Sequence, residues 1–66
     1  MDIKIKNALE IWDSYNNLDR NIIRLEKSVK FKIGEDSYLI EINLINKKLI
    51  KNFYKNNIKI DINEVK

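Results

Sequence analysis

The chain contains no cysteine, no histidine and no proline, and Gly34 is the only glycine among its 66 residues. Without cysteine, disulfides and thiolate metal sites are excluded. Without histidine, the chain lacks the most common general base and the most common metal ligand. A domain this short buries only about 60% of the surface of its unfolded chain, so its stability depends on regular packing or on association.

Long apolar runs are absent as well. The longest are pairs and triplets such as Tyr38, Leu39 and Ile40, whereas a membrane-spanning helix needs about 20 apolar residues. Residues 1–6 carry charges where a signal peptide has its apolar segment, so no targeting segment is expected. The expected location is the cytoplasm, or the host cytoplasm if the gene is phage-encoded, with no membrane partner.

Enzymatic activity is not expected, because the serines have no histidine to activate them and no glycine-rich phosphate loop is present. Three acidic pairs could in principle share a proton or hold a cation. Each has a simpler explanation as helix-start acids, turn residues or partners of nearby lysines. These pairs are Glu10 and Asp13, Glu35 and Asp36, and Asp61 and Glu64. The sequence therefore predicts no catalytic residues, no metal site and no cofactor.

A heptad pattern predicts a long first helix over residues 8–28, with Asn7 as its N-cap. Asn16 and Asn17 are a weak point in it, but the pattern continues in phase beyond them. Residues 2–6 alternate between apolar and charged side chains, which predicts a short strand before the helix. The apolar positions follow steps of three and four: Ala8, Ile11, Tyr15, Leu18, Ile22, Leu25 and Val29.

The middle of the chain predicts a β-hairpin. Apolar and polar residues alternate over 29–33 and again over 38–44, on either side of a turn at 34–37. With a four-residue loop, Ile33 would face Tyr38, Phe31 would face Ile40 and Val29 would face Ile42. All six side chains would then lie on one face of the sheet.

A second, basic helix is predicted over 47 to about 56, with Asn46 as its cap, followed by a last strand over 58–62. Lysines recur there at steps of four, while Leu49, Ile50 and Phe53 lie on the opposite side of the helical wheel. Tyr54 lies at the edge of that apolar side. The predicted lysine face consists of Lys47, Lys48, Lys51, Lys55 and Lys59.

These elements predict a single α+β domain over residues 1–66. Their order, β-α-β-β-α-β, is that of the ferredoxin-like architecture, with both helices on one face of a small, mostly antiparallel sheet. A 20-residue helix is about 30 Å long, whereas a five-residue strand is about 17 Å, so the first helix would overhang the sheet. The alternative is a long helix beside a three-stranded sheet, with residues 2–6 as a loose arm.

Two surfaces are candidate binding sites. The lysine face, with Tyr54 beside it, could attract phosphates or carboxylates without reading a base sequence, and its simpler interpretation is a solvated helix face. The heptad positions could pair two copies of the chain, and their simpler interpretation is burial against the hairpin. The residues of this self-association seam are Ile11, Trp12, Tyr15, Leu18 and Ile22.

The expected function is that of a small non-enzymatic interaction protein. It would bind and modulate, most simply by inhibition, a protein or a nucleoprotein complex. Ile, Asn and Lys fill about half of the chain, and this AT-biased composition favours an accessory protein of a phage or other mobile element. The alternative is a small basic nucleic-acid-binding module, with a net charge of +3, that contacts phosphates through the lysine face. A homodimer is compatible with either function.

Overall fold

The chain begins with a short helix. In the computed structural model, which describes residues 2–17 and 21–65, helix α1 spans Ile3–Ser14 and ends in a 3-10 turn at Tyr15–Asn17. Asp2 caps it, because its carboxylate accepts a hydrogen bond of 2.8 Å from the Lys4 backbone N–H. The predicted strand over 2–6 is therefore wrong, and Asn7 lies within the helix rather than at its cap.

Helix α1 is also much shorter than the predicted 8–28, because the chain leaves the helix at Asn16 and Asn17 and then forms a strand, β1, over Arg24–Ile33. The heptad pattern was misleading for a geometric reason. A step of four residues, such as that from Leu25 to Val29, satisfies the strand period of two as well as the helical period of 3.6. The later part of the seam therefore belongs to a strand.

Within residues 2–17 and 21–65, four strands form one antiparallel meander. Strand β1 is followed by β2 over Asp36–Ile45, β3 over Lys48–Lys55 and β4 over Ile58–Ile60, and they lie in the order β1-β2-β3-β4. A final 3-10 turn covers Ile62–Glu64. The α+β class is confirmed, but the ferredoxin-like order is wrong because each strand pairs with its sequence neighbour and no helix lies between strands over residues 24–60.

Tight turns explain why residues 48–55 form a strand where a basic helix was predicted. Asn46 and Lys47 have φ values of 52° and 66°, and Asn56 and Asn57 have values of 51° and 66°. Two successive residues with positive φ are typical of type I′ turns, whose twist matches that of antiparallel strands. Asn46 therefore turns the chain back on β2 instead of capping a helix.

The predicted hairpin is present, but its register differs by two residues. Gly34, at φ 60°, and Glu35 form a two-residue loop, so Phe31 pairs with Tyr38 and Val29 with Ile40. Glycine is suited to this position because it adopts positive φ without a steric penalty. Since the shift is an even number, every side chain remains on its predicted face.

The core lies between α1 and one face of the sheet. Ala8 of the helix and Ile40, Ile42 and Phe53 of the sheet are each at most 2% exposed. The Phe53 ring makes edge contacts with three aromatic rings, with centroids 6.0 to 6.4 Å apart. These are the rings of Trp12, Phe31 and Tyr38. Because Ala8 is buried in the same cluster as Phe53, helix α1 packs on this face of the sheet beside the aromatic rings.

Candidate binding surface on the open sheet face

The sheet face opposite α1 is not covered by any element of residues 2–17 and 21–65. Successive side chains of a strand point to opposite faces, and the core residues Ile40, Ile42 and Phe53 fix the covered face. The remaining alternate positions therefore make up the other face, which we call the open face. It consists of Arg24, Glu26, Ser28, Lys30, Lys32, Ser37, Leu39, Glu41, Asn43, Ile45, Lys48, Ile50, Asn52, Tyr54 and Lys59.

One row across the open face combines apolar and basic side chains. The register pairs Lys30 with Leu39, Leu39 with Tyr54, and Tyr54 with Lys59. We call these four residues the lysine–tyrosine row. Directly opposed side chains in antiparallel strands have Cβ atoms about 5 Å apart, so the row is continuous. It presents an apolar centre with a lysine at each end.

A depression of about 390 Å³ lies at the β1 end of this row. Its lining includes Lys30 and Leu39 of the row, together with the neighbouring pair Lys32 and Ser37. Asn57, from the turn between β3 and β4, also contributes. The depression therefore offers two ammonium groups beside an apolar floor.

The charges of the open face are unevenly compensated. Arg24 and Glu26 form an ion pair of 2.8 Å. Within the part of the chain that the structure describes, no ion pair joins Lys30, Lys32 or Lys59 to an acid. The half of the open face that carries these three lysines is therefore locally positive and available to a carboxylate or a phosphate.

Glu41 and Tyr54 interact near the centre of the open face. They lie on adjacent strands and on the same face of the sheet. Glu41 pairs with Asn52, and the next pair along this face is Leu39 with Tyr54. Hydrogen bonding to the Glu41 carboxylate raises the pKa of the Tyr54 phenol above its ordinary value. The phenol therefore stays neutral at physiological pH, and its ring is held beside Leu39.

The five residues of the predicted lysine face do not lie in one row. Lys48 and Lys59 lie on the open face, and Lys47 lies in a turn. Lys51 and Lys55 point toward the helix side of the sheet, the same side as Phe53. The geometry of a single lysine edge on a helix is therefore wrong, and the role of these residues in binding stays a prediction. Tyr54, predicted at the edge of an apolar face, is half-buried on the open face.

Lys51 serves a structural purpose at the end of α1. Its ammonium group donates hydrogen bonds to the Trp12 carbonyl oxygen at 2.9 Å and to the Asn16 Oδ1 at 2.7 Å. It also lies 4.6 Å from the centroid of the Trp12 ring. A cation is favourable at a helix C-terminus, where carbonyl groups lack partners. Lys51 therefore ties β3 to the helix.

The residues of the predicted self-association seam are also dispersed. Ile11, Trp12 and Tyr15 pack against the molecule's own core. Leu18 lies outside the described residues, and Ile22 is half-buried in the segment that precedes β1. The structure therefore does not bring the five residues together on one helix, and their role in dimerisation stays a prediction.

Three residues of the acidic pairs have local structural roles. Asp61 and Glu64 form a capping box around the last 3-10 turn. Asp36 accepts a 3.0 Å hydrogen bond from the Asn56 side chain. No group of three or more acidic residues suited to a metal ion occurs within residues 2–17 and 21–65.

Sequence reasoning did not identify Leu39 and Ile50, two apolar residues of the open face, as candidate binding residues. Leu39 interrupts the polar side of an otherwise alternating strand, and such a residue is a usable signal for an exposed apolar contact. Ile50 is 49% exposed, but the helical spacing assigned it to the core. The alternation over 29–33 also predicts that Lys30 and Lys32 lie on the face opposite Val29 and Phe31, as they do in the structure, but they were not among the predicted principal binding residues.

Comparisons with protein-family models, with curated proteins and with solved structures found no match to this chain. In the described parts of the chain, no helix has the length and apolar character to cross a membrane.

Proposed function

We propose that this chain is a non-enzymatic interaction protein whose open face binds an acidic surface of a partner protein. The observation that carries the proposal is the lysine–tyrosine row, in which Lys30 and Lys59 flank the apolar pair Leu39 and Tyr54. Apolar and aromatic centres surrounded by polar groups are typical of protein interfaces. The two lysines favour a partner that carries carboxylates around an apolar patch.

The composition of the open face favours a protein over a nucleic acid. Tyr54 is the only aromatic residue on that face, whereas platforms for single-stranded nucleic acid stack successive bases on several aromatic rings. The Glu41 carboxylate lies beside Tyr54 and would repel a phosphate chain that crosses the centre of the sheet. A protein partner can place its acidic groups at the lysines and avoid Glu41.

The proposed mode of action follows from treating the chain as a non-enzymatic protein. A small domain with an exposed, partly apolar sheet face would modulate its partner by covering part of the partner's surface. This is the behaviour expected of an inhibitor, including one encoded by a phage or another mobile element. The affected activity would be one that depends on the partner's acidic surface.

Phosphate binding is a second candidate, because Lys30, Lys32 and Lys59 lie in the same half of the open face without acidic partners among the described residues. Lysines can neutralise phosphates without reading a base sequence. Such binding would weaken steeply with added salt as counterions are released. Titration of a fluorescent single-stranded oligonucleotide at several salt concentrations separates this candidate from the first.

The proposal is tested by comparing proteins captured by the wild type and by two charge-reversal variants. Lys30→Glu alters the lysine–tyrosine row, and Lys6→Glu, at an exposed position of α1, is the matched control. A partner bound through the open face should be lost with Lys30→Glu and with Leu39→Asp, and retained with Lys6→Glu. The purified partner should show the same order of affinities in a titration. Equal affinity for all of these variants would refute the proposal.

A further inference from the structure

The two edges of the sheet differ in length. β4, at one edge, has three residues, whereas β1, at the other, has ten and pairs on one side with β2. A long edge strand exposes a row of backbone N–H and C=O groups that can pair with another strand. β1 therefore has the geometry of a docking edge.

The hydrogen-bonding pattern shows which backbone groups of β1 point outward. The Asn46 N–H donates to the Ile23 carbonyl across the β1–β2 ladder at 3.2 Å. Along a strand, the backbone N–H and C=O groups of successive residues point alternately toward the neighbouring strand and away from it. Odd-numbered residues of β1 therefore bond to β2. Consistently, the carbonyl of the even-numbered Lys32 accepts a hydrogen bond from the Lys4 side chain at 2.7 Å instead.

The outward-facing groups of Glu26, Ser28 and Lys30 form the free part of this edge. Within residues 2–17 and 21–65, β2 is the only strand paired with β1, and no other backbone hydrogen bond reaches these three residues. All three are exposed. A further strand could therefore bond to them without any rearrangement of the sheet.

The charges along β1 select the kind of strand that can pair. Lys30 and Lys32 have no acidic partner among the described residues, whereas Glu26 is already paired with Arg24 at 2.8 Å. Lysines on an edge disfavour self-pairing, because a second copy would bring its own lysines to the same region. The same lysines attract carboxylates, so this edge discriminates by charge.

We infer that β1 is the docking edge for an extended acidic segment of a partner protein, which adds to the sheet as a fifth strand. Its main-chain groups would bond to Glu26, Ser28 and Lys30, and carboxylates at alternate positions would lie opposite Lys30 and Lys32. This mode of recognition combines main-chain affinity with side-chain selectivity. A carboxylate opposite Lys30 would also extend the lysine–tyrosine row. The inference rests on the proposed function. It adds that the bound segment of the partner is extended and acidic, and that β1 is a second contact surface of this chain.

Amide hydrogen exchange provides a direct test with an internal control. The probe is a short peptide of alternating threonine and glutamate, and its matched control has lysine in place of glutamate. In the free protein, the N–H groups of Ser28 and Lys30 should exchange faster than those of Val29 and Phe31. At about ten times the dissociation constant, the acidic peptide should slow exchange at Ser28 and Lys30 about tenfold, because the free fraction falls by that factor. Val29 and Phe31 should change much less.

Two variants make the result specific. Ser28→Pro removes an outward N–H that the β1–β2 ladder does not use, so it should weaken peptide binding while the sheet persists. The double variant Lys30→Glu with Lys32→Glu should bind the lysine peptide in preference to the glutamate peptide. It keeps the test decisive even if the proline variant does not fold, because it leaves the backbone unchanged.

Several outcomes would overturn the inference. One is equal binding of the acidic and the basic peptide. Another is unchanged exchange at the Ser28 N–H when the acidic peptide is saturating or present at its highest soluble concentration. Protection of Ser28 that rises with protein concentration alone would identify a second copy as the occupant. If a captured partner is lost with Leu39→Asp but binds Ser28→Pro normally, the open face binds the partner and β1 does not. In that case the proposed function stands and the edge inference fails.

Discussion

The stability of a Lys51→Met variant tests whether residues 48–55 form the observed strand or the predicted basic helix. The helical pattern places Lys51 and Lys55 in the same exposed row. In the structure, Lys51 holds the end of α1 through hydrogen bonds of 2.7 and 2.9 Å. The Lys55 ammonium lies 3.9 Å from the Asp36 carboxylate, and their side chains are 45% and 46% exposed. Lys55→Met is therefore the matched control, because it makes the same chemical change in a much weaker setting.

The expected magnitudes follow from these contacts. A hydrogen bond from a charged group contributes about 1.5–3 kcal/mol, a cation–π contact about 0.5–1 kcal/mol, and a cation at a helix C-terminus about 0.3–1 kcal/mol. These contributions overlap at one ammonium group, and methionine retains the packing of the aliphatic stem. We expect a loss of about 1.5–3 kcal/mol for Lys51→Met. For Lys55→Met we expect about 0–1 kcal/mol, as for other exposed ion pairs.

Urea unfolding, followed by tryptophan fluorescence, measures both losses. Trp12 is the only tryptophan of the chain, and its ring lies against the Lys51 ammonium, so the signal reports on helix docking. In a domain of this size, each kcal/mol also lowers the melting temperature by about 4–8 °C. Equal and small losses for the two variants would refute the assigned role of Lys51. That result would instead match two exposed lysines on an amphipathic helix.

Three further predictions address the turns, the open face and the core. Asn56 has φ 51° and bonds through its side chain to Ser37 and Asp36. Alanine and glycine both remove these bonds, but only alanine carries the steric penalty of positive φ. In thermal unfolding, Asn56→Ala should therefore be less stable than Asn56→Gly by about 1 kcal/mol. Glu41→Gln should lower the pKa of Tyr54, as measured by ultraviolet titration against Tyr54→Phe, because it removes the carboxylate that raises this pKa. In the wild type, the interaction between the neutral Tyr54 phenol and Glu41 is complete below the unfolded-state pKa of Tyr54. It is lost as the pH rises through the higher folded-state pKa. Over that alkaline range the wild type should therefore lose more stability than Glu41→Gln. Phe53→Ala should cost about 3–5 kcal/mol, which in a domain this small removes most of the stability and should abolish the cooperative transition in circular dichroism.

The hairpin shows how far sequence periodicity could lead. Alternation assigned Val29, Phe31, Ile40 and Ile42 to one face, and they do share a face in the structure. The register required knowledge of the turn. The prediction assigned Asp36 and Ser37 to the loop because such residues favour turns. In the structure they belong to β2 and bond to Asn56 in a neighbouring turn, a contact between residues that are far apart in the sequence.

The misread third strand shows why the candidate site was only partly predictable. Residues 48–55 satisfy the helical period because Ile50 and Tyr54 are apolar at positions that face the open side of the sheet. Lys51 and Lys55 lie on the covered side, where the end of α1 and Asp36 provide their partners. Which lysines remain available to a partner therefore depends on tertiary contacts, and local spacing could not distinguish Lys51 from Lys59.

The asparagines carried a signal that the helical interpretation concealed. Asn–Lys at 46–47 and Asn–Asn at 56–57 each adopt two successive positive φ values, a conformation that asparagine tolerates better than most residues. In a chain with one glycine, asparagine is the best remaining residue for type I′ turns. Between these two turns lie eight residues, which form β3. The high asparagine content thus has a structural use at these positions, and the spacing of the two turns predicts an eight-residue strand between them.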